Sequence, residues 1–341
     1  METLITPYLE NMPIVVLFIG IIGTLLLLGK GADLLVDEAV SLSVKWKIPK
    51  VLIGATIVSL GTTLPEAAVS VLAAVQGKPG LALGNAVGSI ICDTGLIIGV
   101  ASLISPLVLD KRTVNRQGWL QMGAGFLLVL FALPWISFFS GGKEGFQPGV
   151  IYQWVGFLFV ILLAIYLWIT IRWSRDALIS SEEFEEVEDK PVPILILKLT
   201  LGVGLIIISS KLLIPTVQVT AVRIGIPQSI IAATLVAFGT SLPELVTAVT
   251  AARKGHGELA IGNIIGADIL NVLFVVGFSA SVTKGGLAVP LNFYTLQFPA
   301  MLLILATFKL ITHVEKVSIK KHHGIILLIF YLVYTAGSYL L

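Results

Sequence analysis

Long apolar stretches, separated by short clusters of charge, run the whole length of the chain. A bilayer core takes about 20 consecutive apolar residues per helix. Ten stretches reach or approach that length, at 13–42, 50–76, 80–104, 118–139, 149–171, 193–223, 227–253, 257–281, 291–312 and 322–341. The first and sixth are long enough to tilt or to extend beyond the bilayer. The pattern predicts an all-α integral membrane fold of ten transmembrane helices. The first twelve residues carry no Lys or Arg. The apolar run from Pro13 past Leu28 is longer than the core of a signal peptide, so it reads as a retained helix.

Charge orients this arrangement. Cytoplasmic connections carry an excess of Lys and Arg. The odd-numbered connections hold sixteen of them, from Lys45, Lys47 and Lys50 to Lys316, Lys320 and Lys321, and the even-numbered connections hold four: Lys78, Lys143, Arg223 and Lys284. Both termini are therefore expected outside the cytoplasm of a cell membrane that the chain crosses many times. The one clearly polar stretch, Ser174–Lys190, carries Glu182, Glu183, Glu185, Glu186, Glu188 and Asp189. An acidic run of this kind reads as solvated. It divides the chain into 1–174, an acidic cytoplasmic linker at 175–192, and 193–341.

The two parts repeat one another. Gly54–Gly99 and Ala232–Gly277 align without a gap at an offset of 178, with 19 identities in 46 positions. Each copy lies in a five-span unit. Because five is odd, the second unit enters the membrane from the opposite side. The fold is thus predicted to be two inverted five-helix repeats, the design of secondary transporters, whose sites lie near the bilayer midplane.

Each copy contains an acidic helix breaker: GTTLPE at Gly61–Glu66 and GTSLPE at Gly239–Glu244. Pro65 and Pro243 have no N–H, so the carbonyls of Gly61 and Gly239 lose their helical partners. A freed carbonyl in a membrane must be satisfied by something else. Beside each proline stands Glu66 or Glu244, and an ionisable residue at that depth marks function. Thr62 and Thr240 precede the glutamates by four residues; Thr63 and Ser241 add further hydroxyls. On the next helix, Asn85, Ser89 and Asp93 recur every fourth residue and form one stripe. The second copy gives Asn263, Ala267 and Asn271. Gly84, Gly88, Gly262 and Gly266 flank these stripes and would allow helices to approach closely. Asp33, Asp37, Glu38 and Lys211 fall outside this set.

Composition narrows the chemistry. The 341 residues are 56% hydrophobic and 12% charged, against about 25% charged in a soluble domain. A net charge of +2 gives no footprint for nucleic acid. Cys92, the single cysteine, excludes an internal disulfide and reads as a packing residue. No nucleophile–base pair or redox motif accompanies the acids, so the chain is not read as an enzyme. No cofactor and no obligate protein partner are expected; the partners are transported ions and the lipid bilayer. An all-oxygen site suits hard cations: Ca²⁺, Na⁺, and less readily Mg²⁺.

GTTLPE with GNAVGSIICD, and GTSLPE with GNIIGADILN, resemble the α-repeats of the cation/calcium exchanger superfamily, specifically its prokaryotic sodium/calcium exchangers. The resemblance covers nearly the whole chain. It implies alternating access, with Na⁺ exchanged for Ca²⁺. It implies that Glu66 and Glu244 are shared ligands, that the carbonyls of Thr62 and Thr240 face the centre, that Thr63, Ser89 and Ser241 serve flanking Na⁺ sites, and that Asp93 and Asn271 contact the centre. The long first and sixth helices would be the sliding pair. Asn85 and Asn263 complete the candidate set. The sequence departs from the family pattern in two ways. Asp93 and Asn271 stand in the reverse of the usual Asn–Asp order, and Ala267 replaces a Ser, with Asp268 beside it as a residue that would tune the flanking site. The alternatives are an H⁺/Ca²⁺ or K⁺-coupled antiporter, a Mg²⁺ transporter and, in a different class, a cation channel. The proton-coupled branch usually carries a Glu after Gly-Asn, which is absent here.

Overall fold

A computed structural model describes residues 2–134, 148–177, 191–225, 239–315 and 317–340. Most of the acidic linker and the first half of the seventh predicted span lie outside the described residues. Helix α1 (Glu2–Asn11), in a stretch not read as helical, leads into α2 (Ile14–Trp46). α2 stops where Lys47 adopts a left-handed conformation, φ 54°, and returns its N–H to the carbonyls of the last turn. α3 (Lys50–Thr62) and α4 (Leu64–Val75) form one span bent by 47°. α5 (Pro79–Ile104) follows, then β1 (Leu107–Val108), α6 (Lys111–Ala132), β2 (Val150–Ile151) and α7 (Gln153–Ala177). The remainder comprises α8 (Val192–Arg223), α9 (Leu242–Arg253), α10 (Gly257–Val282), β3 (Leu287–Ala288), α11 (Phe293–Val314), β4 (Ser318–Ile319) and α12 (Lys321–Leu340).

Among the described residues, six helices are long and apolar enough to cross a membrane: α2, α5, α7, α8, α10 and α11. The bent pair α3–α4 makes seven. The ten-span expectation is reached only that far. α6 opens on Lys111 and Arg112 and carries Arg116, Gln117 and Gln121; α12 opens on Lys321, His322 and His323; and α9 has only 12 described residues.

α10 is almost wholly buried and α5 mostly so, whereas α2 and α8 lie at the periphery and pack against each other along their lengths. Ile19, Ile22, Leu26, Leu197, Leu201 and Ile208 on these two helices are exposed. In a bilayer such side chains meet lipid, and helical backbone leaves no polar group open to it. The Arg223 guanidinium at the end of α8 donates to the carbonyls of Met12 and Leu9, tying α1 to the pair.

Glycines bring α10 onto α3. A Cβ at Gly262 would lie 2.1 Å from the Val51 carbonyl oxygen, and one at Gly266 would lie 2.5 Å from that of Ala55. This meets the close approach expected of these two residues. Gly84 and Gly88 show no such approach among the described residues; the segment corresponding to α3 falls largely outside them.

The two parts of the chain share element boundaries. α4 and α9 begin and end 178 residues apart, and α5 and α10 begin at the same offset. Each of these longer helices contains a π-helical turn, at Cys92–Ile97 and at Asn271–Val276. The small strands pair across the parts: β1 runs antiparallel to β4, with Leu107 opposite Ile319, and β2 to β3, with Val150 opposite Ala288. Likewise α7 packs on the C-terminal end of α10, and α12 on that of α5.

Candidate cation site

Both acidic motifs open a helix in the same way. Pro65 and Pro243 sit in the first turns of α4 and α9, where a missing N–H costs nothing. Glu66 and Glu244 follow in those same first turns, at the positive end of the helix dipole. Both are buried, with 1% of their surface exposed. Interrupted helices whose N-termini face the protein interior are the means by which membrane proteins hold charge at depth.

Hydrogen bonds join the two halves here in matched fashion. The Thr62 hydroxyl donates to Asn263 Oδ1 at 3.4 Å, and the Thr240 hydroxyl donates to Asn85 Oδ1 at 3.0 Å. These are the same pair of positions exchanged by the 178-residue offset. Thr63 Oγ1 donates to Glu244 Oε1 at 3.5 Å. The Asn85 amide donates to the Glu66 backbone carbonyl at 3.3 Å and to Ser70 Oγ at 2.9 Å. Ser241 lies beside Asp93 without closing a hydrogen bond to it.

Other oxygens here have no partner among the described residues. Both carboxylate oxygens of Glu66 and of Asp93, Oε2 of Glu244, Oδ1 of Asp268, Oδ1 of Asn271 and Oγ of Ser241 are buried and unbonded. Glu66 feels the charges of Glu244 and Asp93, and Asp93 those of Glu244 and Asp268, so the four acids share one electrostatic environment. Among the described residues, no Lys, Arg or His pairs with any of them. Two like charges about 4 Å apart repel by roughly 4 kcal/mol at an effective dielectric of 20. Buried acids so arranged are stable only with protons or cations among them. No three of these acids bring a carboxylate oxygen each within 4.8 Å of one another; among the described residues, Glu315, His322 and His323 form the one cluster that compact. The acids are therefore distributed, giving adjoining positions for ions rather than one ring.

Twelve side chains were singled out from the sequence. The structure joins Thr62, Asn263, Thr240, Asn85, Thr63 and Glu244 by hydrogen bonds, and Glu66, Asp93, Glu244 and Asp268 by charge. Ser241 stands at Asp93. Ser89 and Asn271 are buried but make no hydrogen bond to the carboxylates. Ser89 lines a cleft of 250 Å³ with Asn85, Cys92, Thr240, Tyr331 and Thr335. Ser70, Thr94 and Gln121 were missed. Gln121 Nε2 donates to Asp268 Oδ2 at 2.6 Å, and Thr94 Oγ1 to the same oxygen at 2.5 Å. As a polar residue inside an apolar stretch, Gln121 carried a readable signal. Asp33, Asp37 and Glu38 are paired away from the site: Lys254 meets Asp33 at 3.0 Å and Asp37 at 2.8 Å, and Lys198 meets Glu38 at 3.5 Å.

The family described as "Sodium/calcium exchanger protein" matches residues 16–172 and 194–340. The chain belongs to the sodium/calcium exchanger family. This exchanger is 29% identical to "Sodium/calcium exchanger MaX1" of Methanosarcina acetivorans, over 94% of its own length and 98% of the relative's. It is 33% identical to "Inner membrane protein YrbG" of Escherichia coli, over 84% of its own length and 86% of the relative's. Its backbone is similar to that of the sodium-calcium exchanger NCX_Mj soaked with 10 mM Na⁺ and zero Ca²⁺, with a TM-score of 0.77 and 26% identity, covering 95% of this chain and 99% of that one. The exchanger is accordingly a multi-pass membrane protein, in a family of transporters rather than enzymes. The resemblance read from its repeats is borne out.

Proposed function

We propose that this exchanger is a secondary antiporter that trades Na⁺ for Ca²⁺ across the cell membrane by alternating access. One observation carries the reading: Glu66, Glu244 and Asp93 are buried and unpaired with any described cation, and the two glutamates stand in the first turns of matched helices. Ca²⁺ takes six to eight oxygen ligands. Two carboxylates with the oxygens of Thr62, Thr240, Asn85 and Asn263 approach that number. Thr63, Ser241, Ser89 and Asn271 supply neutral oxygens at the flanks, where Na⁺ would share the same carboxylates. Ions that share ligands cannot bind together at full strength, and that competition is the physical basis of exchange.

The exchanged contacts between the parts support an inverted pair of five-helix repeats, 1–174 and 193–341; the ten apolar stretches and the excess of Lys and Arg in the odd-numbered connections support ten spans, a cytoplasmic linker at 175–192 and both termini outside the cytoplasm. α2 and α8, packed on each other and facing lipid, would slide past the rest to open the site to one side and then the other.

Flux in sealed vesicles tests this. Vesicles holding the purified exchanger are loaded with Na⁺ and diluted into Na⁺-free medium containing radiolabelled Ca²⁺. Uptake should follow the Na⁺ gradient. Uptake that ignores Na⁺ and follows a pH gradient would replace the reading with proton-coupled antiport, and uptake without any counter-gradient would point to a channel.

A further inference from the structure

A second group of metal-binding side chains lies outside the buried acids, at the turn between α11 and α12. Glu315 closes the end of α11, returning its N–H to the Ile311 carbonyl, and His322 and His323 stand in the first turn of α12. Each of the three offers one ligand atom, and these atoms lie within 4.8 Å of one another. His323 Nε2 is 3.4 Å from Glu315 Oε1, and the centroids of the two imidazole rings are 3.9 Å apart. Bonds of about 2.0–2.1 Å from Zn²⁺ to N and O place the ligands of a tetrahedral ion about 3.3 Å apart. The His323–Glu315 edge already has nearly that length. The other edges need to close by about 1.5 Å at most. Rotation of His322 can supply this, because its side chain is exposed and forms no hydrogen bond among the described residues.

Structural roles account for only part of this group. His323 Nδ1 accepts the Lys320 N–H at 3.3 Å, as the third residue of a helix does in a capping box. Lys320 Nζ is 3.9 Å from Glu315 Oε2, a half-exposed contact of little strength. Neither contact engages His322. Imidazole nitrogen suits Zn²⁺, Cu²⁺ and Ni²⁺, whereas Ca²⁺ takes oxygen. Two imidazoles and one carboxylate form a set that holds Zn²⁺, with water in the fourth place. We propose that Glu315, His322 and His323 form a binding site for one Zn²⁺ ion, separate from the transported ions. The proposal goes beyond the exchange reading and does not depend on it. His323 Nε2 must be free of its proton to ligate. That proton passes by way of solvent to Nδ1, and the Lys320 N–H, at a helix start whose donors water can satisfy, turns outward. The ion would tie α11 to α12 across β4, the strand paired with β1. The next residue, Gly324, is packed against Gly99 and Ser102 of α5, so the site sits where α12 meets the helix that carries Asp93.

Metal titration of the full-length exchanger, freed of any affinity tag, tests the proposal. Zn²⁺ binding is followed by calorimetry in excess Ca²⁺, and Co²⁺ binding by visible absorption. One Zn²⁺ per chain is expected, with a rise in unfolding temperature, and Co²⁺ should show the intense bands of a four-coordinate ion. Losing a partner that only orients a ligand weakens metal binding about 10–100-fold. His322→Ala removes a ligand itself, so it should weaken Zn²⁺ binding by at least that factor and abolish the Co²⁺ bands. Glu315→Gln should do the same. His322 is exposed and outside the hydrogen bonds of the turn, so the metal-free unfolding temperature of His322→Ala should match the wild type. His313→Gln changes an imidazole outside the cluster and should bind Zn²⁺ as the wild type does. A protein that binds no Zn²⁺, undiminished binding by His322→Ala, or Zn²⁺ binding that Ca²⁺ abolishes overturns the proposal. Neither readout involves Na⁺-driven Ca²⁺ flux, so the exchange reading stands or falls separately.

Discussion

Replacing Gly266 by alanine tests whether backbone contact between α10 and α3 holds the site together. The new Cβ would meet the Ala55 carbonyl oxygen at 2.5 Å, and the Ala55 Cα and Ser59 Oγ at 2.6 Å each. Ordinary contact begins at 3.4 Å, so the two helices must part by about 0.9 Å. Two of the three obstructing atoms are backbone, and rotamer changes cannot relieve them. Overpacking of this kind costs about 1–3 kcal/mol, and the backbone contacts place it toward the upper end. The displaced segment is the π-helical turn Gly54–Val58, which leads directly to Ser59–Thr62. Thr62 would then lose its hydrogen bond to Asn263, already long at 3.4 Å. The assays are thermal unfolding in detergent and Ca²⁺ binding by calorimetry. Gly266→Ala should lower the unfolding temperature by several degrees and weaken Ca²⁺ binding about tenfold or more, since an ångström of misplacement is costly at a geometric site. Gly23→Ala is the control. Nothing lies within 4 Å of its Cβ, and alanine suits a helix better than glycine by roughly 0.5–1 kcal/mol. A Gly266→Ala protein with wild-type stability and affinity would refute the argument.

Glu66→Gln and Glu244→Gln should each reduce Na⁺-driven Ca²⁺ uptake to background while the protein still elutes as a folded species on gel filtration; normal uptake by either variant would remove that residue from the site. Thr62→Val and Thr240→Val each delete one of the matched cross-half hydrogen bonds, and should weaken Ca²⁺ binding by similar factors of about 3 to 10, given about 1 kcal/mol per neutral hydrogen bond; a large effect from one and none from the other would argue against equivalent roles. Burial alone would lower the Lys254 pKa, but the hydrogen bonds its ammonium donates to Asp37 and Asp33, and their charges, outweigh it and raise it. Its ion pairs therefore contribute fully below the ordinary lysine value of about 10.4 and are lost as pH rises through the higher folded value. Because the pairs are half-exposed, Asp37→Asn should cost no more than about 1 kcal/mol at neutral pH and nothing at strongly alkaline pH, as read from unfolding temperature.

Much of this organisation was legible because membranes restrict the options. An apolar stretch of helical length, a proline beside a glutamate, and a gap-free repeat each have few structural outcomes in a bilayer. The break between α3 and α4 falls at the motif, and Gly262 and Gly266 make the approach their spacing implied. What escaped notice depended on side-chain direction across different helices. Ser70 reaches Asn85 from the turn after Glu66, a contact that spacing along α4 does not show. Gln121 reaches Asp268 across 147 positions from a helix that the motif does not include. Helix α1 was invisible because its polar sequence carries no span-like pattern, and its place depends on Arg223 at the far end of α8.

Internal symmetry also gives a way to separate frame from function. Glu66 and Glu244 obey the 178-residue offset, as do Thr62 and Thr240, Asn85 and Asn263. These pairs build a site that presents nearly the same face to either half. The other two acids break the rule: Asp93 faces Asn271 in the repeat, and Asp268 faces Ile90. Asp268 nevertheless lies three residues, about one turn, before Asn271. Each half therefore still contributes two carboxylates. Charge is balanced between the halves while geometry is not. A transporter that opens to both sides needs comparable electrostatics in its two states, or one state would hold its ions too tightly to release them. Moving the second acid by one turn, and fixing it with Thr94 and Gln121, keeps that balance.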